Sequence, residues 1–74
     1  MTRRPEKHSL TLSGHRTSVS LEPEFWEALL AIASQRGMTV NALAAEIDAR
    51  RAGAEGLASA IRVHLLAEAR AGRL

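Results

Sequence analysis

Strict alternation of polar and apolar positions runs through residues 16–21 and predicts one short β-strand. A lone strand leaves its backbone N–H and C=O groups unpaired, and a second copy of the same strand is a natural partner. The pattern therefore predicts a homodimer built on an intermolecular, antiparallel two-stranded ribbon. The alternation divides the strand into two faces: Thr17, Val19 and Leu21 toward the core, and Arg16, Ser18 and Ser20 away from it.

Apolar residues with a 3.6-residue period follow the strand and predict three helices. The first begins near Pro23, since proline is favoured at the first helical position, and ends at Gly37, a left-handed cap. The second begins at the N-cap Thr39, and the third runs from about Leu57 to Arg70. We expect the strand and the first two helices to supply the dimer core: Val19, Leu21, Phe25, Leu29, Ile32, Leu43 and Ile47.

The first helix carries a second apolar stripe, formed by Trp26 and Leu30, beside the one assigned to the core. The third helix has an apolar stripe of its own, which lacks a partner within that helix. We expect Leu57, Ile61 and Leu65 of the third helix to pack on the first helix near Trp26 and Leu30.

The N-terminal residues 1–14 are polar and basic, which is typical of a flexible arm. Residues 8–12 alternate weakly and fit either a short extra strand or an extended arm, and Ser13-Gly14 is a turn signal. The expected organisation is therefore an arm over 1–14, a core over 15–52 and a C-terminal helix over 53–74.

Composition narrows the class of protein. A chain of 74 residues is marginally stable alone, and with no cysteine it can use neither a disulfide nor a thiolate metal site. Its three histidines are too scattered for a metal site, and no catalytic constellation or cofactor-binding motif is present. The sequence therefore predicts a non-enzymatic protein without cofactor or metal. No apolar run approaches the length of a membrane helix, so a cytoplasmic location without membrane contact is expected.

The charge is unevenly distributed. Residues 1–20 carry four basic and one acidic side chain, a net +3, whereas residues 21–74 carry six arginines against seven acids, a net −1. A basic arm and strand are suited to a phosphate backbone.

The order of elements resembles the ribbon-helix-helix DNA-binding family, which includes the β-ribbon proteins Arc and MetJ. It consists of a strand, a helix, the turn Gly37-Met38-Thr39-Val40-Asn41 and a second helix. The match covers about residues 15–50. The stretch 15–22, followed by Phe25-Trp26, is similar to a small bacterial subgroup with an extra C-terminal helix. The resemblance implies a mainly α fold with one short strand per chain, forming an intertwined homodimer.

The resemblance also implies the site. Outward side chains of the ribbon, here Arg16, Ser18 and Ser20, would contact bases in the major groove. Backbone N–H groups at the start of the second helix would hold a phosphate. With the basic arm, the expected phosphate-contacting residues are Thr39, Val40, Asn41, Arg3, Arg4 and Lys7.

The leading function is that of a small transcriptional regulator that binds double-stranded DNA as a homodimer, with higher-order assembly on DNA left open. Two alternatives remain. One is an antitoxin-type DNA-binding protein that also binds a toxin, with the C-terminal helix contacting that protein partner. The other is a protein-interaction dimer that has lost DNA binding.

Overall fold

The fold is a β-hairpin followed by three helices. The computed structural model describes residues 4–51 and 56–74. Strands β1 (Glu6–Leu12) and β2 (His15–Leu21) precede helices α1 (Pro23–Gln35), α2 (Val40–Arg50) and α3 (Leu57–Arg70). The predicted strand, the two helices that follow it and the extra C-terminal helix are thus all present, as the resemblance implies.

The hairpin corrects one expectation. β2 does not lack a partner within its own chain, because β1 pairs with it antiparallel over the full length of both strands. The prediction of one strand per chain is therefore wrong, and the extra strand that the arm allowed is real. Ser13 and Gly14 both have positive φ, of 52° and 84°, as a two-residue type I′ loop requires.

The hairpin has one buried and one exposed face. Leu10, Leu12, Val19 and Leu21 point toward the helices and are nearly inaccessible. Thr17 lies on that face too, but it is exposed beside the turn, so its expected burial is wrong. Every residue on the opposite face is polar.

Helix boundaries follow local capping chemistry. Pro23 opens α1, and Gly37, at φ 66°, closes it: the N–H of Met38 donates to the carbonyl of Ala33, and that of Gly37 donates to Ser34. The hydroxyl of Thr39 caps α2. These are the start and stop signals that the sequence predicts.

A single chain buries a contiguous core between the hairpin and the three helices. Six of the seven residues predicted for the dimer core are already buried within this single chain, and Phe25 is half-buried against them. Helix α3 contributes Ala60, Ile61 and Leu65. The second stripe of α1 behaves differently from expectation: Trp26 stacks on His8 of β1, with ring centroids 3.8 Å apart, and Leu30 is 42% exposed.

Side-chain hydrogen bonds near both ends of α1 hold helix α3 against it. Near the start of α1, Arg62 donates two hydrogen bonds to a carboxylate oxygen of Glu22, at 2.8 and 3.1 Å, and its guanidinium lies 5.6 Å from the ring centre of Phe25. Near the end of α1, the Gln35 amide donates to the carbonyl of Arg73 at 2.9 Å. The two helices therefore run side by side in the same direction.

Candidate nucleic-acid interface

The outward face of the hairpin brings together side chains from both strands. Opposite residues of an antiparallel pair point to the same side, and the register pairs Lys7 with Ser20, Ser9 with Ser18, and Thr11 with Arg16. All six are exposed. The three residues predicted to contact bases therefore share a face with Lys7, which was assigned to phosphate contact, and with two hydroxyl residues not singled out from the sequence.

The electrostatics of this face favour an anion. Lys7 and Arg16 are its charged residues, and neither forms an ion pair within the part of the chain that the structure describes. Two acids outside the hairpin, Glu22 and Glu46, are instead hydrogen-bonded by arginines. A hydrogen bond from Arg62 lowers the pKa of Glu22, and one from Arg36, at 2.7 Å, lowers the pKa of Glu46. The hairpin face thus presents two cations that form no ion pair among residues 4–51 and 56–74.

Helix α2 begins beside this face. The side-chain oxygen of Asn41 accepts a hydrogen bond of 3.1 Å from the backbone N–H of Thr11, which fixes the first turn of α2 against the outer edge of β1. Thr39 accepts from the N–H of Ala42 at 3.0 Å. The N–H groups of Val40 and Asn41 make no hydrogen bond within the described ranges, so they remain available to an anion.

The hydrogen bond from the N–H of Thr11 to Asn41 also shows how the hairpin edges are oriented. Because the N–H of Thr11 points away from β2, the backbone groups of Thr11 and its opposite residue Arg16 point outward, and so do those of Ser18 and Ser20, at intervals of two residues. The carbonyl of Ser20 accepts from Arg62 at 3.4 Å. The N–H and C=O groups of Arg16 and Ser18 have no partner among residues 4–51 and 56–74. The outer edge of β2 is therefore open at Arg16 and Ser18.

Among the residues predicted to contact phosphate, Arg4 is exposed just before β1. Arg3 lies outside the described residues. The sequence did not single out Ser9 or Thr11, although a signal was present: two alternating runs separated by a Ser-Gly pair are a hairpin pattern. No group of three or more potential metal ligands occurs in the described part of the chain, and no helix there is long and apolar enough to cross a membrane.

Comparison with known proteins identifies the architecture. A family model described as "Ribbon-helix-helix domain" matches residues 5–69, which is most of the chain and includes β1 and all but the last residue of α3. Comparisons with curated proteins and with solved structures give no significant match.

Proposed function

Because the chain belongs to the ribbon-helix-helix domain family, whose members bind DNA as transcriptional regulators or antitoxins, we propose that it is a small bacterial transcriptional regulator of double-stranded DNA. The observation that carries the proposal is the outward hairpin face, which is polar throughout and lies beside the N-terminus of α2, and whose two cations form no ion pair with any described residue. A regulator of this kind acts in the cytoplasm, where its DNA target lies.

The active form is a homodimer joined through the open edge of β2. Antiparallel pairing of two β2 strands satisfies the outward N–H and C=O groups of Arg16 and Ser18. The result is a four-stranded sheet, in which the two β2 strands are central and each β1 is outermost. Strand pairing with a second copy, expected from the sequence, is thereby retained, although β2 already has one partner in its own chain.

Base contacts come from the central strands. Outward residues two positions apart are spaced by about 6.8 Å along a strand, which is roughly two base-pair steps. Arg16 can donate two hydrogen bonds to guanine O6 and N7, while Ser18 and Ser20 can donate to or accept from several bases. We assign preference for particular sequences chiefly to Arg16. The backbone N–H groups of Val40 and Asn41, together with the basic arm, contact phosphates and add no sequence preference.

A titration of the protein with duplexes from its own upstream region and with random duplexes, at several salt concentrations, tests this function. We expect affinity to fall steeply with salt for both kinds of DNA and to be higher for one upstream fragment. Arg16→Ala should lower affinity for that fragment by about 1–3 kcal/mol per half-site and leave random DNA less affected. If no duplex is bound at low salt, the protein-interaction dimer without DNA binding becomes the better assignment.

The dimer has a separate test in two proline variants. Proline lacks an N–H, and the N–H of Ser18 points to the open edge whereas that of Val19 points to β1. Ser18→Pro should therefore give a folded monomer in sedimentation, while Val19→Pro should disrupt the hairpin itself. A Ser18→Pro protein that remains dimeric would rule out pairing through this edge.

A second candidate function, an antitoxin that also holds a toxin with α3, is favoured by an apolar cavity of about 410 Å³ between α1 and α3. Two of the residues that line it, Val63 and Leu66, are 61% and 56% exposed. If a neighbouring gene encodes a toxic protein, co-expression of this chain should restore growth and Leu66→Glu should not. Equal rescue by both proteins would exclude this surface as the binding site.

A further inference from the structure

The hairpin places a second row of polar side chains beside the three residues predicted to contact bases, and only the lysine of this row has an assigned role, in phosphate contact. It consists of Lys7, Ser9 and Thr11 on β1, each directly opposite one of the three residues predicted to contact bases. All three are exposed, and Lys7 has no ion-pair partner within the described residues. The sequence predicts a flexible arm at Lys7, whereas the structure places this residue on a strand.

The width of the sheet decides where this row meets DNA. Adjacent strands lie about 4.8 Å apart, so the two outer strands of a four-stranded sheet are separated by roughly 14 Å. The major groove is about 12 Å wide. The two central β2 strands fit within the groove, but the outer strands lie at its walls, where the sugar–phosphate backbones run.

The position of α2 agrees with this placement. The hydrogen bond between Asn41 and the N–H of Thr11 joins the outer edge of β1 to the first turn of α2. The backbone N–H groups of Val40 and Asn41, which the proposed function assigns to a phosphate, therefore lie on the same flank as the β1 row. An ammonium group, hydroxyl groups and backbone N–H groups are all ordinary phosphate donors.

We propose that β1 forms a phosphate-binding wall, defined by the outward side chains of Lys7, Ser9 and Thr11. In each half of the dimer this wall contacts the DNA backbone at one side of the groove, while β2 contacts the bases. The proposal rests on the proposed function, since it presumes DNA binding by the dimer. It assigns to one hairpin two separate tasks, sequence reading by one strand and sequence-independent anchoring by the other.

The proposal predicts that substitutions on β1 and substitutions on β2 have different effects on DNA binding. Ser9→Asp places one carboxylate per chain against phosphates and should weaken binding about tenfold or more, equally on preferred and random duplexes. Lys7→Gln removes one cation per chain and should reduce the salt dependence of the dimer's binding by about two ions. By contrast, Arg16→Ala should change the preference among sequences.

A matched control is available on the same hairpin. Thr17 is exposed on the opposite face, so Thr17→Asp makes the same charge change away from the proposed wall and should bind far better than Ser9→Asp. Circular dichroism and sedimentation establish that each variant remains a folded dimer. If Ser9→Asp impairs folding, the salt dependence of Lys7→Gln still decides the question.

Three results would overturn the proposal. Binding by Ser9→Asp and Lys7→Gln that equals that of the parent would remove β1 from the interface and leave the proposed function intact. A loss confined to the preferred duplex would place β1 inside the groove as a reader of bases. If the parent itself binds no duplex at low salt, the proposed function fails together with the wall.

Discussion

Helix α3 is an integral part of the fold, and removal of one side chain tests this conclusion. Ile61 is completely inaccessible among the buried residues of the core. Ile61→Ala deletes about three methyl or methylene groups, each worth roughly 0.8 kcal/mol of transfer free energy. With a partly relaxed cavity added, the free energy of unfolding should fall by about 3 kcal/mol, within the usual range for this substitution. In a domain of this size that change lowers Tm by roughly 12–24 °C.

The control lies two residues away on the same helix. Val63 is 61% exposed, so Val63→Ala should alter the free energy of unfolding by no more than about 0.5 kcal/mol. Urea denaturation of both variants, followed by circular dichroism and at several protein concentrations, separates packing within the chain from dimer formation. Equal unfolding free energies for the two variants would refute the packed position of α3 and would make it a detached binding element.

Three further predictions concern the caps, the ion pairs and the ring stack. Gly37→Ala should destabilise the protein by about 1–2 kcal/mol in urea denaturation because its φ of 66° disfavours a Cβ, and Gly37→Asn should cost less. Hydrogen bonds from arginines lower the pKa values of Glu22 and Glu46 below the ordinary value of 4.5. The stabilisation of the fold by these ion pairs is therefore complete above about pH 4.5 and is lost as the pH falls through the lowered values. The urea midpoint should decline in acid, and it should decline less for Glu22→Gln. His8→Ala should expose Trp26 and red-shift its fluorescence, and an unchanged spectrum would contradict the stacked geometry.

Much of the chain could be predicted from local chemistry. The alternation of residues 16–21, the proline that opens α1, the glycine that closes it and the threonine that caps α2 each act over a few neighbouring residues. The resulting elements are confirmed at nearly the predicted boundaries. The six buried members of the predicted core follow from the same periodicities, because an apolar face must be buried whatever covers it.

Only tertiary structure decided which residues cover each apolar face and each strand edge. Strand alternation shows that β2 needs a partner but does not identify it, and here β1 of the same chain occupies one edge. Trp26 could have met α3 or the hairpin, and it stacks on His8, a contact between residues 18 positions apart in the sequence.

The candidate interface likewise contains residues that local sequence determined and residues that only tertiary structure brought together. The sequence by itself determined the three outward residues of β2 and the start of α2, because both depend on local spacing. Only the folded hairpin set Ser9 and Thr11 beside them and, through Asn41, attached α2 to β1. Cross-strand register and side-chain contacts between distant segments are set by the packing of the whole chain, and a pattern read along one segment does not contain them.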